Sequence, residues 1–582
     1  MKTLELFNAV IAKESNDVPY TSETGYIIEP SAVWAQDDII EYYRKNLLNG
    51  LDLNKTFHKS WNTIIESDRA TLLIEQIKHY VSTYGSEFND EMYIPNEMLK
   101  VPNLKVTFKV IKGYSKEVMI NKCLSLLQSG IALAEDTIND IITILVDELD
   151  YSFTGDEGIK NKEAIVKIAD MYNVLPKDTM EFFRYIIYKT TSDTLLIKNT
   201  ETIAAIKSAS FNPAIQFKAF GLDKLSEIFN RFKPLFLAYK DTCPKTINKL
   251  SKLSKKNHKA LVTNALSLVT SVSLTENDTH WLDNATPFAL FKAIHACNSR
   301  LKDRSAFVYR IRNGKSWVTG SDKKNTVVEG NLTFITNYMK NRFNLTDTKV
   351  FLPEDVKFGL PTSEKMYVGN IPTGTRFYGN KLAVGVYWEN NWGANDLDLS
   401  GINIGGKIGW NSAYSSGNLH YSGDITSAPN GAVEYLYADK GLDAPTIVMN
   451  NVYSGAPDAG YKIIVGKGSN VNKDFMMNPN KLFVDIKTNS VQTQTVLGMI
   501  IPKKDKQCFV LLNFGSGQAN VSGDNELTNL STNALYEEWS NPFSFNKLLK
   551  LLGAEIVTDV ADADHNFSLD NLEKDSFIKL FK

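Results

Sequence analysis

The chain has little cysteine. Four residues, Cys123, Cys243, Cys297 and Cys508, are scattered through 582, with no Cys-x-x-Cys pair and no dense framework. That excludes a disulfide scaffold and points to a reducing compartment. Nowhere does the sequence approach the roughly 20 consecutive apolar residues that a membrane-spanning helix needs. The opening segment, Met1-Lys2-Thr3-Leu4-Glu5-Leu6-Phe7, puts an acidic residue where a signal peptide requires an unbroken apolar core, and no cleavage site follows. Excess charge is lacking as well. With 64 basic and 66 acidic residues the net charge is -2, too little for bulk electrostatics to recruit nucleic acid or an anionic membrane. Short catalytic signatures are missing: no Walker A loop, no Gly-x-Ser-x-Gly elbow, no His-Glu-x-x-His and no Cys/His zinc spacing. We therefore expect a soluble, cytoplasmic, non-catalytic protein. Paired carboxylates acting as a glycoside hydrolase are the enzymatic alternative.

What the chain does contain is length enough for several domains, each with an ample core. The spacing predicts a multidomain α + β protein in five parts: a mixed helical region at 1–110, a helical array ending in a β-hairpin at 111–330, a linker at 331–370, an antiparallel β-sandwich at 371–520 and a helical tail at 521–582. In the first part Ile74, Ile77, Tyr80 and Val81 have helical spacing, and Pro95 marks a connection. Ile120, Cys123, Leu124, Leu127 and Ile131 line one helical face, as do Ile138, Ile141, Ile142, Leu145 and Leu149. Ile165, Ile168, Ala169 and Tyr172 repeat the pattern, and Leu222, Leu225, Ile228, Phe229 and Phe232 do so again before Pro234. Thr286-Pro287 opens another helix with a capping hydroxyl and Pro at its first position. A stacked-hairpin or helical-repeat array follows as an expectation, although no strict period is present. Phe307–Arg312 and Ser316–Val318 flank Asn313-Gly314, a two-residue hairpin signal. After a helix near Leu332–Arg342, short strands separated by Gly, Asn and Ser predict the sandwich: Leu382–Trp388, Val433–Tyr437, Thr446–Val452, Tyr461–Val465, Leu482–Ile486, Thr495–Ile501 and Cys508–Asn513. Phe545, Leu548, Leu549 and Leu552 then predict a helix, and a closing helix is expected near Leu572–Phe581.

The chemistry concentrates in two segments. Asn395-Asp396-Leu397-Asp398-Leu399-Ser400 follows one apolar strand, and His420-Tyr421-Ser422-Gly423-Asp424-Ile425-Thr426 runs on through Asn430, Gly431 and Glu434 after another. Alternation along a strand lets Asp396 and Asp398 point to one spot while Leu397 and Leu399 face the core. Carboxylates at Asp396, Asp398, Asp424 and Glu434, with Thr426 and Asn430, make a hard oxygen set with no thiolate, which suits Ca2+. Ordinary turn building by Asp, Asn and Ser is the competing explanation.

These motifs also carry a resemblance. Tyr387-Trp388, Asp396 through Ser400, and His420-x-Ser422-Gly423-Asp424-Ile425-Thr426-x-Ala428-Pro429-x-Gly431-Ala432-x-Glu434 look like the TerD domain of bacterial tellurium-resistance and stress-response proteins. The likeness spans roughly residues 350–515 and is nearest to a divergent form fused behind a long helical region in bacterial and bacteriophage proteins. Phe57-His58-Lys59-Ser60-Trp61, Tyr93-Ile94-Pro95 and Phe351-Leu352-Pro353-Glu354 carry the looser match of the helical region. In place of the family's Gly/Asp-rich run stands Ser427-Ala428-Pro429-Asn430-Gly431. The resemblance implies a Ca2+-binding β-sandwich in a stress-related binding or scaffolding protein with a protein partner or self-assembly. A bacteriophage structural or assembly component is the second expectation, and an RNA-binding helical platform the third.

Three further features carry competing readings. Asp562 to Glu573 places oxygens at EF-hand loop positions, but Phe567 stands where that loop needs Gly, so a helix cap at Ser568 or Asp570 is the expected role. Lys245, Lys249, Lys252, Lys256 and Lys259 line one helical face. That face is expected to be solvated, with Ile247, Leu250 and Leu253 buried opposite; binding of nucleic-acid phosphates is the alternative. Trp388 and Trp410 are expected in the core and Trp392 exposed, with His420 near the acidic group.

Overall fold

A computed structural model describes residues 1–21, 26–46, 109–303, 307–310, 316–319, 326–409, 412, 415–467, 482–515 and 525–581. The helical spacing at Ile74–Val81, the connection at Pro95, the Phe57–Trp61 and Tyr93–Pro95 motifs, Trp410 and the Asn313-Gly314 turn lie outside the described residues. Helices fill most of the N-terminal half and antiparallel sheets the C-terminal half. Among the described residues no helix is long and apolar enough to cross a membrane.

Residues 115–267 form one compact unit; residues 3–114 together with 268–582 form the other. The first is helical because its short polar connectors carry caps. Ser115 Oγ accepts from the Val118 amide to start Lys116–Gln128, and Asn161 Oδ1 accepts from Glu163 and Ala164 to start Lys162–Tyr172. Asp178 does the same for Thr179–Thr191, each cap being worth about 1 kcal/mol. Pro234 is the first-turn residue of its own helix, Lys233–Ala238, where its missing N–H costs nothing. The core is aromatic: Phe182 stacks on Phe220 at 4.0 Å and Phe183 on Phe236 at 3.9 Å, between Ile186, Leu225, Phe229 and Leu250.

The second unit opens with a small sheet that its sequence does not announce. Ala9–Ile11 and Tyr26–Ile28 both pair in parallel with Lys109–Tyr114, and Tyr20–Thr21 lies at the edge. Further on, Thr286 caps Pro287–Ser299, the expected helix near Leu332 spans Val327–Phe343, and Phe307–Arg310 pairs with Ser316–Thr319 as a hairpin.

Two larger antiparallel sheets follow. One has seven strands in the order Gly406–Gly409, Ala394–Asn403, Thr446–Gly455, Gln494–Pro502, Gln507–Gly515, Arg376–Gly379 and Val356–Lys357. The other has six: Ser415–Ser416, Leu419–Tyr421, Ala432–Ala438, Leu382–Trp388, Gly460–Lys467 and Leu482–Asn489. They face each other. Gly401 of the first lies so close to Leu436 and Leu419 of the second that a Cβ there would stand 3.1–3.2 Å from them, and Tyr461 Oη donates to Asn513 Oδ1 across the gap at 2.8 Å. The outer face of the seven-stranded sheet is covered by Leu535 and Trp539 of the helix Asn525–Trp539.

The tail departs from expectation. Phe545–Leu551 is helical as its spacing requires, but the closing helix near Leu572–Phe581 is absent. Only short turns form there, Leu569–Asn571, 574–578 and Lys579–Phe581: Ser576 bonds back to Glu573, and Ile578 and Lys579 to Asp575, but no continuous helical ladder forms, because other groups of the segment are drawn to distant parts of the chain. The Lys574 amide donates to the Leu6 carbonyl, Asn8 Nδ2 to the Leu572 carbonyl at 3.2 Å, and the Val110 amide to Asn571 Oδ1 at 2.9 Å. Glu573, 3% exposed, accepts from Tyr114 Oη at 3.1 Å and pairs with Lys579 Nζ at 2.8 Å and Lys112 Nζ at 3.7 Å. The EF-hand geometry is absent too. His565–Asn566 pairs with Lys349–Phe351, and Phe567 is buried against Phe545 and Phe577, which accounts for a large aromatic where that loop would need Gly.

Removing the Glu573 carboxylate strands the Tyr114 hydroxyl and takes an acceptor from Lys112 and from Lys579, which keeps Asp575 at 3.4 Å. Glu573→Ala should destabilise the sheet-bearing unit by about 3 kcal/mol, the lower end for a broken buried pair, since the Lys112 and Lys579 side chains keep partial water contact. Urea unfolding followed by tryptophan fluorescence measures it, with Glu573→Gln, which keeps an acceptor for Tyr114, losing less.

Candidate metal centre

Strand Leu382–Trp388 is buried along its whole length. Gly385 lets the neighbouring strand approach; a Cβ there would stand 2.1 Å from the Glu434 carbonyl. At its end Trp388 Nε1 donates to the Asn395 carbonyl at 3.2 Å, holding the irregular start of Ala394–Asn403, where the register shifts between Ala394 and Asp396. From there the strand alternates as its sequence requires. Leu397 and Leu399 are fully buried on one face, and Asp396, Asp398 and Ser400 share the other.

Asp424 arrives from a different sheet. Its loop leaves Leu419–Tyr421 through Gly423, whose φ of 117° favours glycine, and is clamped by Asn390. The Asn390 amide donates to the Ala428 carbonyl at 2.9 Å, and its side-chain Oδ1 accepts from the Ala428 amide at 2.7 Å. One oxygen each of Asp396, Asp398 and Asp424 lie within 4.8 Å of one another. Asp396 and Asp398 are 5% and 3% exposed, whereas Asp424 is open to water.

The electrostatics are those of an acidic nest that its neighbours only partly offset. Burial, then the charge of Asp424, raises the Asp396 carboxyl to about 6. Burial and then Asp396 raise Asp398 to about 7, although Asn451 Nδ2 donates to it at 3.3 Å. Asp424 is raised by burial alone. Half-buried Lys407 is the cation that Asp398 senses, and burial lowers its own ammonium. Asp396 Oδ1 and Ser400 Oγ are buried without a hydrogen-bond partner, a situation that a bound ion or water relieves.

Glu434 lies outside this trio. It is fully buried and its carboxylate is occupied: Oε2 accepts from the Leu399 amide at 2.9 Å and Tyr421 Oη at 2.7 Å, and Oε1 from the Ile425 amide at 2.9 Å. Burial drives its carboxyl well above the usual range against those three donors. Thr426 and Asn430 are exposed on the Asp424 loop. His420 does not join the trio. Alternation sends Tyr421 inward to Glu434 and His420 to the other face, where it senses Asp439. Trp388 is in the core as expected, but Trp392 is half-buried, edge-on to Tyr387 at 5.5 Å. Asn390 and Tyr421, which place the Asp424 loop and Glu434, carried no sequence signal beyond their neighbourhood.

Compared with known proteins, the chain matches no family model and no curated protein.

The raised carboxyls fix a pH dependence. Asp396 and Asp398 bind protons more tightly folded than unfolded, so without a cation their stabilising contribution is complete below about pH 4 and is lost as pH rises to about 6–7. Asp398→Asn should therefore raise the cation-free melting temperature at pH 8, by about 1 °C per kcal/mol recovered for a unit of this size, and leave it unchanged at pH 4. Calorimetric melts at the two pH values in chelator measure this.

Proposed function

We propose that the paired sheets form a TerD-like sandwich whose acidic nest holds Ca2+, and that the chain is a non-catalytic binding or scaffolding protein of that stress-related class, working in the cytoplasm. The observation that carries this reading is the convergence of Asp396, Asp398 and Asp424, two of them buried, with Asp396 Oδ1 left unpartnered. Carboxylates brought together below water are unfavourable unless a cation joins them, and a set made only of oxygen is what a hard ion selects. Asp396, Asp398 and Asp424 would hold the ion. Carbonyl oxygens and water would complete the six to eight oxygens that Ca2+ takes. The ion would supply charge neutralisation and so order the exposed Asp424 loop as a surface for a protein partner or a second copy.

Stability then follows occupancy, by about 2.7 kcal/mol at a hundredfold excess over Kd. Isothermal titration with Ca2+ should give binding heat for the wild type and none for Asp424→Ala. Glu434→Gln, which touches no ion but positions Leu399, Tyr421 and Ile425, should weaken binding roughly 10–100-fold. A wild type without binding heat, or Asp424→Ala with unchanged heat, refutes the reading.

A further inference from the structure

The helix Pro244–Asn257 buries Ile247 and Leu250 completely and turns its lysines outward. Lys245, Lys249, Lys252 and Lys256 fall within an arc of about 60° at 100° per residue and run about 16 Å along the axis. Lys255 stands beside them. All five are exposed, and none has an ion-pair or hydrogen-bond partner among the described residues. Only Lys259, just past the helix, is paired, with Glu227 at 2.9 Å. The excess spreads over the surrounding helices. From Lys198 to Lys259 there are 13 Lys and Arg against 4 Asp and Glu, in a chain whose net charge is only -2.

A face that needed only solubility would interleave glutamates. Here Lys245 with Lys249, Lys249 with Lys252, Lys252 with Lys255 and Lys252 with Lys256 are like charges one turn apart. Each such pair costs about 0.2–0.5 kcal/mol, together roughly 1–2 kcal/mol, with no compensation within the unit. A local rule broken without internal return is the mark of a functional surface.

We propose that this face binds the phosphate backbone of nucleic acid, independently of sequence. Charges repeating every 4.5–6 Å along a rod match a polymer of regularly spaced phosphates. A bilayer fits less well, because an interfacial helix must offer its apolar face to lipid and this one has buried Ile247 and Leu250 in its own core. The stripe contains no Arg for bidentate base contacts and no aromatic for stacking, so affinity comes from counterion release and not from base readout.

The test uses the full chain and fluorescently labelled 20-base-pair DNA, the matching RNA duplex and their single strands, by anisotropy from 50 to 200 mM salt. Four lysines on a duplex give a slope of log K against log salt near -3.6, a loss of about a hundredfold over that range; single strands give about -2.8. The variant with Lys245, Lys249, Lys252 and Lys256 all changed to Gln should lose at least tenfold in affinity at 50 mM and most of the slope. Gln keeps helix propensity, and an unchanged circular-dichroism spectrum with a melt at or above that of the wild type, as relief of the repulsion requires, confirms the fold. No binding at 50 mM salt overturns the proposal. So does a variant with wild-type affinity and slope, or capture by phosphatidylserine vesicles that nucleic acid does not compete away. The Ca2+ titration of the same variant stays at wild-type heat, so this surface and the acidic nest stand or fall separately.

Discussion

One buried carboxylate organises the corner where the two large sheets meet. Glu434 has no contact with water, and its two oxygens receive an amide from the Ala394–Asn403 strand, an amide from the Asp424 loop and the Tyr421 hydroxyl. The Leu399 amide lies one residue before Ser400, the last residue described as pairing with Gly406–Gly409, and it donates to a side chain and not to a strand. Glu434 is the acceptor of that amide. By bonding both segments at once it fixes the distance between them, and the separation of Asp396 and Asp398 from Asp424 is set as a result. A buried group with three good donors is as fixed a point as a fold offers, and the flexible, exposed end of the nest is built outward from it.

That division of labour explains what was legible in the sequence. The alternation of Asp396, Leu397, Asp398 and Leu399 was readable because a strand writes its two faces into successive residues. The strand Leu382–Trp388 was readable for a related reason, an unbroken apolar run bounded by polar turns. The part of Glu434 was not. Its partners are two backbone amides and a phenol, and no side-chain pattern records where a backbone amide lacks a partner. Asn390 was hidden likewise, since its clamp spans 38 residues and its partners are the main-chain amide and carbonyl of Ala428.

The N-terminal sheet and the tail were illegible for a different cause. Ala9–Ile11 and Tyr26–Ile28 are three residues each, too short to show a period, and the strand between them in the sheet arrives only at Lys109. In the tail Leu572, Phe577, Ile578 and Phe581 have the apolar density of a helix. Phe577 instead joins an aromatic cluster with Phe358, Phe545 and Phe567, Phe581 meets Phe545, and Glu573 and Asp575 pair with Lys579. Tertiary packing outweighed local propensity, as it does when a segment's best partners lie elsewhere in the chain.

The closure between Asn8 and Leu572 spans 564 residues, and this dictates an order of events during synthesis. At about 5–20 residues per second the opening strands emerge roughly half a minute to two minutes before the segment that completes them. Residues 115–267 suffer no such delay, because each of their helices meets its neighbours within the same stretch of chain. The nascent polypeptide therefore carries a finished helical body while its earliest β-strands are still waiting on the ribosome for their last neighbour, and those strands are the place where a chaperone would find work.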